Sequence, residues 1–122
     1  MMNKIKAYSD ILQDFANPLL DGSESNDTLL LKLKTAQLVW NYCIAKEFGL
    51  ASLLIFEEIM DSSRKEDPEI MLIFLMLINR KEQLFHQYKN FILDVRIVQK
   101  PDKSYSVQAD FIKHENFKEI KL

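Results

Sequence analysis

The side chain in this sequence most able to carry chemistry is Lys81. At helical spacing it shares a stripe with Ile70, Phe74, Leu77, Phe85 and Tyr88, the stripe expected to be buried. An unpaired ammonium buried there costs several kcal/mol or loses its proton more easily. Lys81 must therefore run its stem out to water, pair with a carboxylate, or line a pocket. With Arg80 beside it, the last arrangement would hold an anion or a carbonyl compound. The pair Trp40–Asn41 is the second candidate. Trp40 lies on an apolar stripe and is expected in the core, while Asn41 lies on the polar strip and can cap or bind.

Other chemical templates come back empty. The one cysteine, Cys43, sits among Tyr42, Ile44 and Ala45, where a buried, inert thiol is expected, and neither a CxxC pair nor a Cys/His cluster accompanies it. Gly22 and Gly49 are the only glycines, too far apart for a phosphate-binding loop. Neither His86 nor His114 has a glutamate three residues before it, so a carboxylate-bridged di-iron bundle site is not encoded. Glu82 and His86 are four apart on one helix face, but two groups do not make a metal site. Glu57, Glu58 and Asp61 form an acidic cluster, read as a solvated face. No metal, no cofactor and no catalytic residue is expected, and the chain is read as leaning away from an enzyme.

Four helices and a hairpin must position these residues. Ile5, Tyr8, Leu12, Phe15 and Ala16 recur at helical spacing, so a helix is expected over 3–17, ended by Pro18. After the polar loop Asp21–Asp27, a helix over 28–48 is closed by Gly49. It carries two apolar stripes: Leu29, Leu33, Ala36, Trp40, Cys43 and Ile44 on one side, and Leu31, Leu38, Tyr42 and Ala45 roughly opposite. A third helix is expected over 51–61 with Asp61–Asp67 as its loop, and a fourth over 68–90, opened by Asp67 and Pro68. Its first half, Ile70–Ile78, is nine uninterrupted apolar residues, less than half of the roughly 20 needed to cross a bilayer. It is read as a core helix covered on all sides.

Beyond Asn90 the apolar period falls to two. Strands over 92–99 and 104–112 read as a hairpin whose odd-numbered residues face inward, with Ile97 opposite Tyr105 and Val95 opposite Val107. The tail, 113–122, reads equally as a short strand or a frayed helix. The fold class expected is α+β, mostly α: about four helices packed as a bundle with a C-terminal β-hairpin, in a single domain of 122 residues.

Charge narrows the partners. The net charge of −2 divides into −5 over residues 1–78 and +3 over 79–122. An acidic body with a mildly basic end argues against general nucleic-acid binding, although Arg80, Lys89, Arg96, Lys100 and Lys103 could form a local basic patch. The opening residues hold no apolar stretch of signal-peptide length, so a cytoplasmic location with no membrane role is expected.

The segments "FANPLL" (Phe15–Leu20), "VWNY" (Val39–Tyr42) and "INRKEQLF" (Ile78–Phe85), followed by the hairpin, together resemble a small family of uncharacterised bacterial helical proteins. The resemblance implies no activity. It directs attention to Trp40, Asn41, Arg80 and Lys81 as candidate binding residues.

The leading reading is a non-catalytic protein–protein interaction domain that self-associates. Cover for both long helices is scarce, and the Leu31, Leu38, Tyr42 and Ala45 stripe would be left over for the interface of a homodimer or for another protein. The alternatives are a small-ligand or enzymatic domain using Lys81 and Arg80, a nucleic-acid-associated regulator, and an immunity-type protein that neutralises another.

Overall fold

The computed structural model describes residues 8–49, 53–102 and 105–113. The expected helical residues 3–7 and 51–52, and the tail from 114 onward, lie outside them. Four helices precede a two-stranded antiparallel sheet: α1 (Tyr8–Ala16), α2 (Asn26–Phe48), α3 (Leu53–Glu66), α4 (Pro68–Leu84), β1 (Asn90–Gln99) and β2 (Tyr105–Lys113). A 3-10 turn, Asn17–Leu19, follows α1 and contains Pro18. The protein is mostly α with a C-terminal hairpin. One apolar core takes residues from all four helices and both strands, with Trp40, Phe15, Phe91 and Leu12 its largest fully buried members.

Local chemistry sets the helix ends. Ser25 caps α2, its hydroxyl accepting from the Thr28 N–H at 3.3 Å. Gly49 ends it at φ 62°, the left-handed conformation that glycine adopts without a Cβ penalty, and its N–H reaches the last carbonyls. In the loop between, the Glu24 carboxylate accepts the Asp21 and Gly22 N–H groups and pairs with Lys32 at 2.8 Å. This ties the loop to the side of α2.

Two helix ends differ from expectation. Helix α3 runs on to Glu66 instead of stopping near 61, so the polar stretch after Met60 is helix and not loop. Nothing in Asp61–Glu66 breaks a helix, and Ser63 folds its hydroxyl back on the Ile59 carbonyl at 3.0 Å. The break comes at Asp67, which Pro68 holds extended (φ −145°, ψ 103°) and which caps α4 by accepting the Glu69 N–H. Helix α4 stops at Leu84, six residues early. Phe85 leaves helical geometry at φ −128°, and Tyr88 N–H closes a turn on the Phe85 carbonyl.

The hairpin register also differs. Ile97 faces Val107 and Val95 faces Ala109, each two residues further along β2 than expected. Facing numbers still sum to an even value there, so Val95, Ile97, Val107 and Ala109 keep the inward face, whereas Leu93, Tyr105 and Phe111, also expected inward, are exposed. An irregularity between Ile92 and Asp94 shifts the register by one, pairing Ile92 with Phe111 and leaving Leu93 out of the ladder. Before this bulge both faces of β1 are covered: Phe91 and Ile92 are each fully buried, and Phe91 lies against the Phe56 ring of α3.

Helix α2 is central, touching α1, α3, α4 and β1. That position absorbs most of its second stripe. Ala45 is 0 % exposed, and Leu38 and Tyr42 are half-buried against the core; only Leu31, at 68 %, is left open. The expectation that α4 is covered all round is corrected in turn. Met71, Leu72 and Leu75 face out from its first half, so the unburied apolar surface lies on α4 and not on α2.

Candidate functional site

Lys81 lies in the last turn of α4 and is 3 % exposed. It does not snorkel, and among the described residues it meets no carboxylate. Its Nζ donates to the Phe85 carbonyl at 2.9 Å and the Tyr88 carbonyl at 3.0 Å, and stands 4.6 Å from the centre of the Trp40 ring. The amine thus satisfies two carbonyls of the turn that follows the helix, and the indole face replaces a third partner. This is why α4 ends where it does: the side chain gathers the chain into a turn. Burial pushes the Lys81 ammonium down to about 8, with Lys89 adding to the effect while Cys43 and Glu47 oppose it.

The other three candidate binding residues are engaged in the same way. The Asn41 amide forms a two-way bond with one residue of β1, its Nδ2 donating to the Ile92 carbonyl at 2.8 Å and its Oδ1 accepting the Ile92 N–H at 2.9 Å. It therefore stands in for a neighbouring strand, and Gln37 adds a second donor to the same carbonyl at 2.8 Å. Trp40 Nε1 donates to the Asn90 carbonyl at 2.8 Å. Arg80 turns the other way, its Nη2 donating to the Asp14 carbonyl at 2.7 Å and its Nε to the Phe15 carbonyl at 3.0 Å, so the guanidinium caps the C-terminus of α1.

Around Trp40 the rings of Phe15, Phe85 and Tyr88 lie 5.3 to 6.0 Å away, centre to centre, and Phe15 and Phe85 meet it edge-on. Trp40 and Lys81 are thus brought together, Asn41 holds β1 on the same helix, and Arg80 serves a different junction.

Lys81 also borders a cleft of about 310 Å³ with Cys43, Lys46, Glu47, Glu82 and His86. Arg80 is not among its walls, so the two cations do not converge on one anion or carbonyl. Burial pushes the Cys43 thiol up to about 12, which leaves it protonated at neutral pH. His86 lies beyond the end of α4, so it does not share a helix face with Glu82. Among the described residues no group of three metal-capable side chains occurs.

The basic end is largely consumed as well. Arg96 pairs with Asp94 at 2.8 Å and Asp110 at 2.9 Å, and Lys89 with Glu47 at 2.6 Å. Lys103 lies outside the described residues. Among the described residues no helix is long and apolar enough to cross a membrane.

The larger opening is a groove of about 340 Å³ between α2, α3 and α4, at the lower end of the volumes that hold small molecules. Its floor and α4 wall are apolar, made by Tyr42, Met60, Phe74, Ile78, Met71 and Leu75, and Glu57 and Asp61 stand on the α3 wall. Outside the groove the apolar surface continues over Leu72, 70 % exposed and one turn before Leu75 on the same side of α4. Spacing places Phe74 on a core stripe and Glu57 and Asp61 on a solvated face, and does not by itself bring them together in one groove. The signal was present in Ile70–Ile78: a helix apolar on every side is either enclosed or offers one side to something else.

No protein-family model, curated protein or solved structure matches the chain.

Proposed function

We propose that this is a non-catalytic protein–protein interaction domain that docks its partner on the α3–α4 face. The observation that carries the reading is the pair Leu72 and Leu75, 70 % and 53 % exposed beside an apolar groove. Scattered apolar side chains on a surface need no explanation, but a contiguous patch beside a groove marks a site of contact. The polar residues that could have served chemistry support the same reading, because their donors are spent on main-chain carbonyls. The α2 stripe offers only Leu31 to a second copy, so a homodimer would not be built on it.

Site-specific photo-crosslinking in the host cell tests the proposal. A photoreactive side chain at Leu72 should yield a discrete adduct, and the same group at exposed Lys34 on α2 should not. An adduct at twice the chain mass identifies a second copy, and any other discrete mass identifies a different protein. No adduct at Leu72, or the same adduct from both positions, contradicts the reading.

A further inference from the structure

We infer that the α2–α3–α4 groove receives a cationic amphipathic helix from a partner protein, an inference that rests on the interaction reading above and adds the partner's chemistry. The two walls differ in kind. The α4 wall carries no charge from Ile70 to Ile78, whereas Leu53–Glu69 holds six carboxylates against two cations, Arg64 and Lys65, a net −4. Glu57 and Asp61 stand in the groove itself, and Glu58, Glu66, Asp67 and Glu69 are exposed on the same pair of helices.

A ligand that fills such a groove needs an apolar edge toward Phe74, Ile78 and Leu75 and a positive edge toward α3. An amphipathic helix provides both edges on one rigid element, with anchors at i, i+3/i+4 and i+7 and lysine or arginine beside them. From Met71 to Ile78 the α4 wall is about 10 Å long, enough for roughly two turns of such a helix. A second copy of this chain fits less well. An isologous contact through the groove would set the α3 wall of each copy against the uncharged α4 wall of the other, leaving Glu57 and Asp61 covered with no cation across the contact. The positive partner supplies that cation and is steered to the groove by the field of α3.

The test uses the full chain and two labelled helical peptides of about 18 residues, long enough to overreach the groove. Both place leucines on one face; one carries lysines on the other face and its sibling carries glutamates. Fluorescence anisotropy should show the lysine peptide binding at least about tenfold more tightly than its sibling at low salt, with the difference shrinking as salt screens it. Glu57→Gln with Asp61→Gln should weaken the lysine peptide by about tenfold, and Leu75→Ser should abolish its binding. Equal binding of both peptides, no binding of either, or lysine-peptide binding untouched by Leu75→Ser would overturn the inference. A discrete Leu72 adduct beside any of those results would leave the interaction reading standing and remove only the cationic partner.

Discussion

Replacing Asn41 with alanine should be among the most damaging single changes on α2, although no catalytic role attaches to the residue. Its amide exchanges two hydrogen bonds with Ile92, which is fully buried. Deleting it leaves the Ile92 N–H facing apolar surroundings, while the Ile92 carbonyl keeps the Gln37 donor. A buried donor left unmade costs about 1–3 kcal/mol, and the small void adds about 1 kcal/mol, giving about 2–4 kcal/mol. That is a large part of the roughly 5–15 kcal/mol that holds a domain folded. At roughly 3–5 °C per kcal/mol for a chain of this length, the melting temperature should fall by about 10 °C. Gln37→Ala should cost only about 0.5–1.5 kcal/mol, because Asn41 still serves the carbonyl it leaves. Urea denaturation of the two variants measures the difference directly. If Asn41→Ala falls within about 0.5 kcal/mol of Gln37→Ala, the strand-mimicking amide is not what holds β1 to α2.

Two further outcomes follow from the same geometry. With Lys81 lowered to about 8 in the fold against 10.5 ordinarily, the unfolded chain binds the extra proton between those values, so this group's contribution to stability rises with pH across that window and is flat below it. The melting temperature of the parent relative to Lys81→Met should therefore rise as pH is raised from about 7 to about 10; a relative fall, or no change, would contradict the burial of that ammonium. On α2, Leu31→Glu should change stability by less than about 0.5 kcal/mol and Ala45→Glu should cost more than about 3 kcal/mol, since only the second buries a carboxylate in the core. Equal effects in denaturation would mean the stripe is uniformly exposed after all.

Much of this architecture is legible in the sequence where local rules and packing agree. Gly49 and Pro68 mark boundaries by backbone chemistry alone, and both lie where expected. The change of period after Asn90 marks the hairpin because one face of each strand meets the core. What was missed depends on long-range geometry. The end of α4 is decided by Lys81 reaching two carbonyls beyond its own helix, which spacing within the helix does not encode. The bulge at Leu93 follows directly on Ile92, whose backbone N–H and carbonyl are both taken by Asn41 of α2, a demand that no pattern within the strand carries. The apolar run of α4 says that the helix prefers to be covered but not by what, and the structure covers α2 at its expense.

The polar candidates teach a related lesson. Lys81, Arg80, Trp40 and Asn41 stand out in the sequence because each breaks an apolar pattern or carries a donor into it. The fold uses every one of them to satisfy main-chain carbonyls at element junctions. A polar group in a core can thus be demanded by an unpaired backbone as readily as by a ligand. Leu72 and Leu75, which carry the docking reading, are by contrast apolar and ordinary by type, and only their exposure distinguishes them.

The most direct test of the account joins stability to association in one pair of substitutions. Leu72→Glu with Leu75→Glu removes the apolar character of the α4 face, and a photoreactive side chain at Leu54, exposed one turn before Glu57 on the same side of α3, reports contact on the adjoining wall. The account predicts that urea denaturation of the double variant stays within about 1 kcal/mol of the parent, since neither side chain is core, while the discrete adduct at Leu54 disappears. An adduct that persists, or a loss of several kcal/mol in folding, would mean that this surface belongs to the fold and is not where a partner docks.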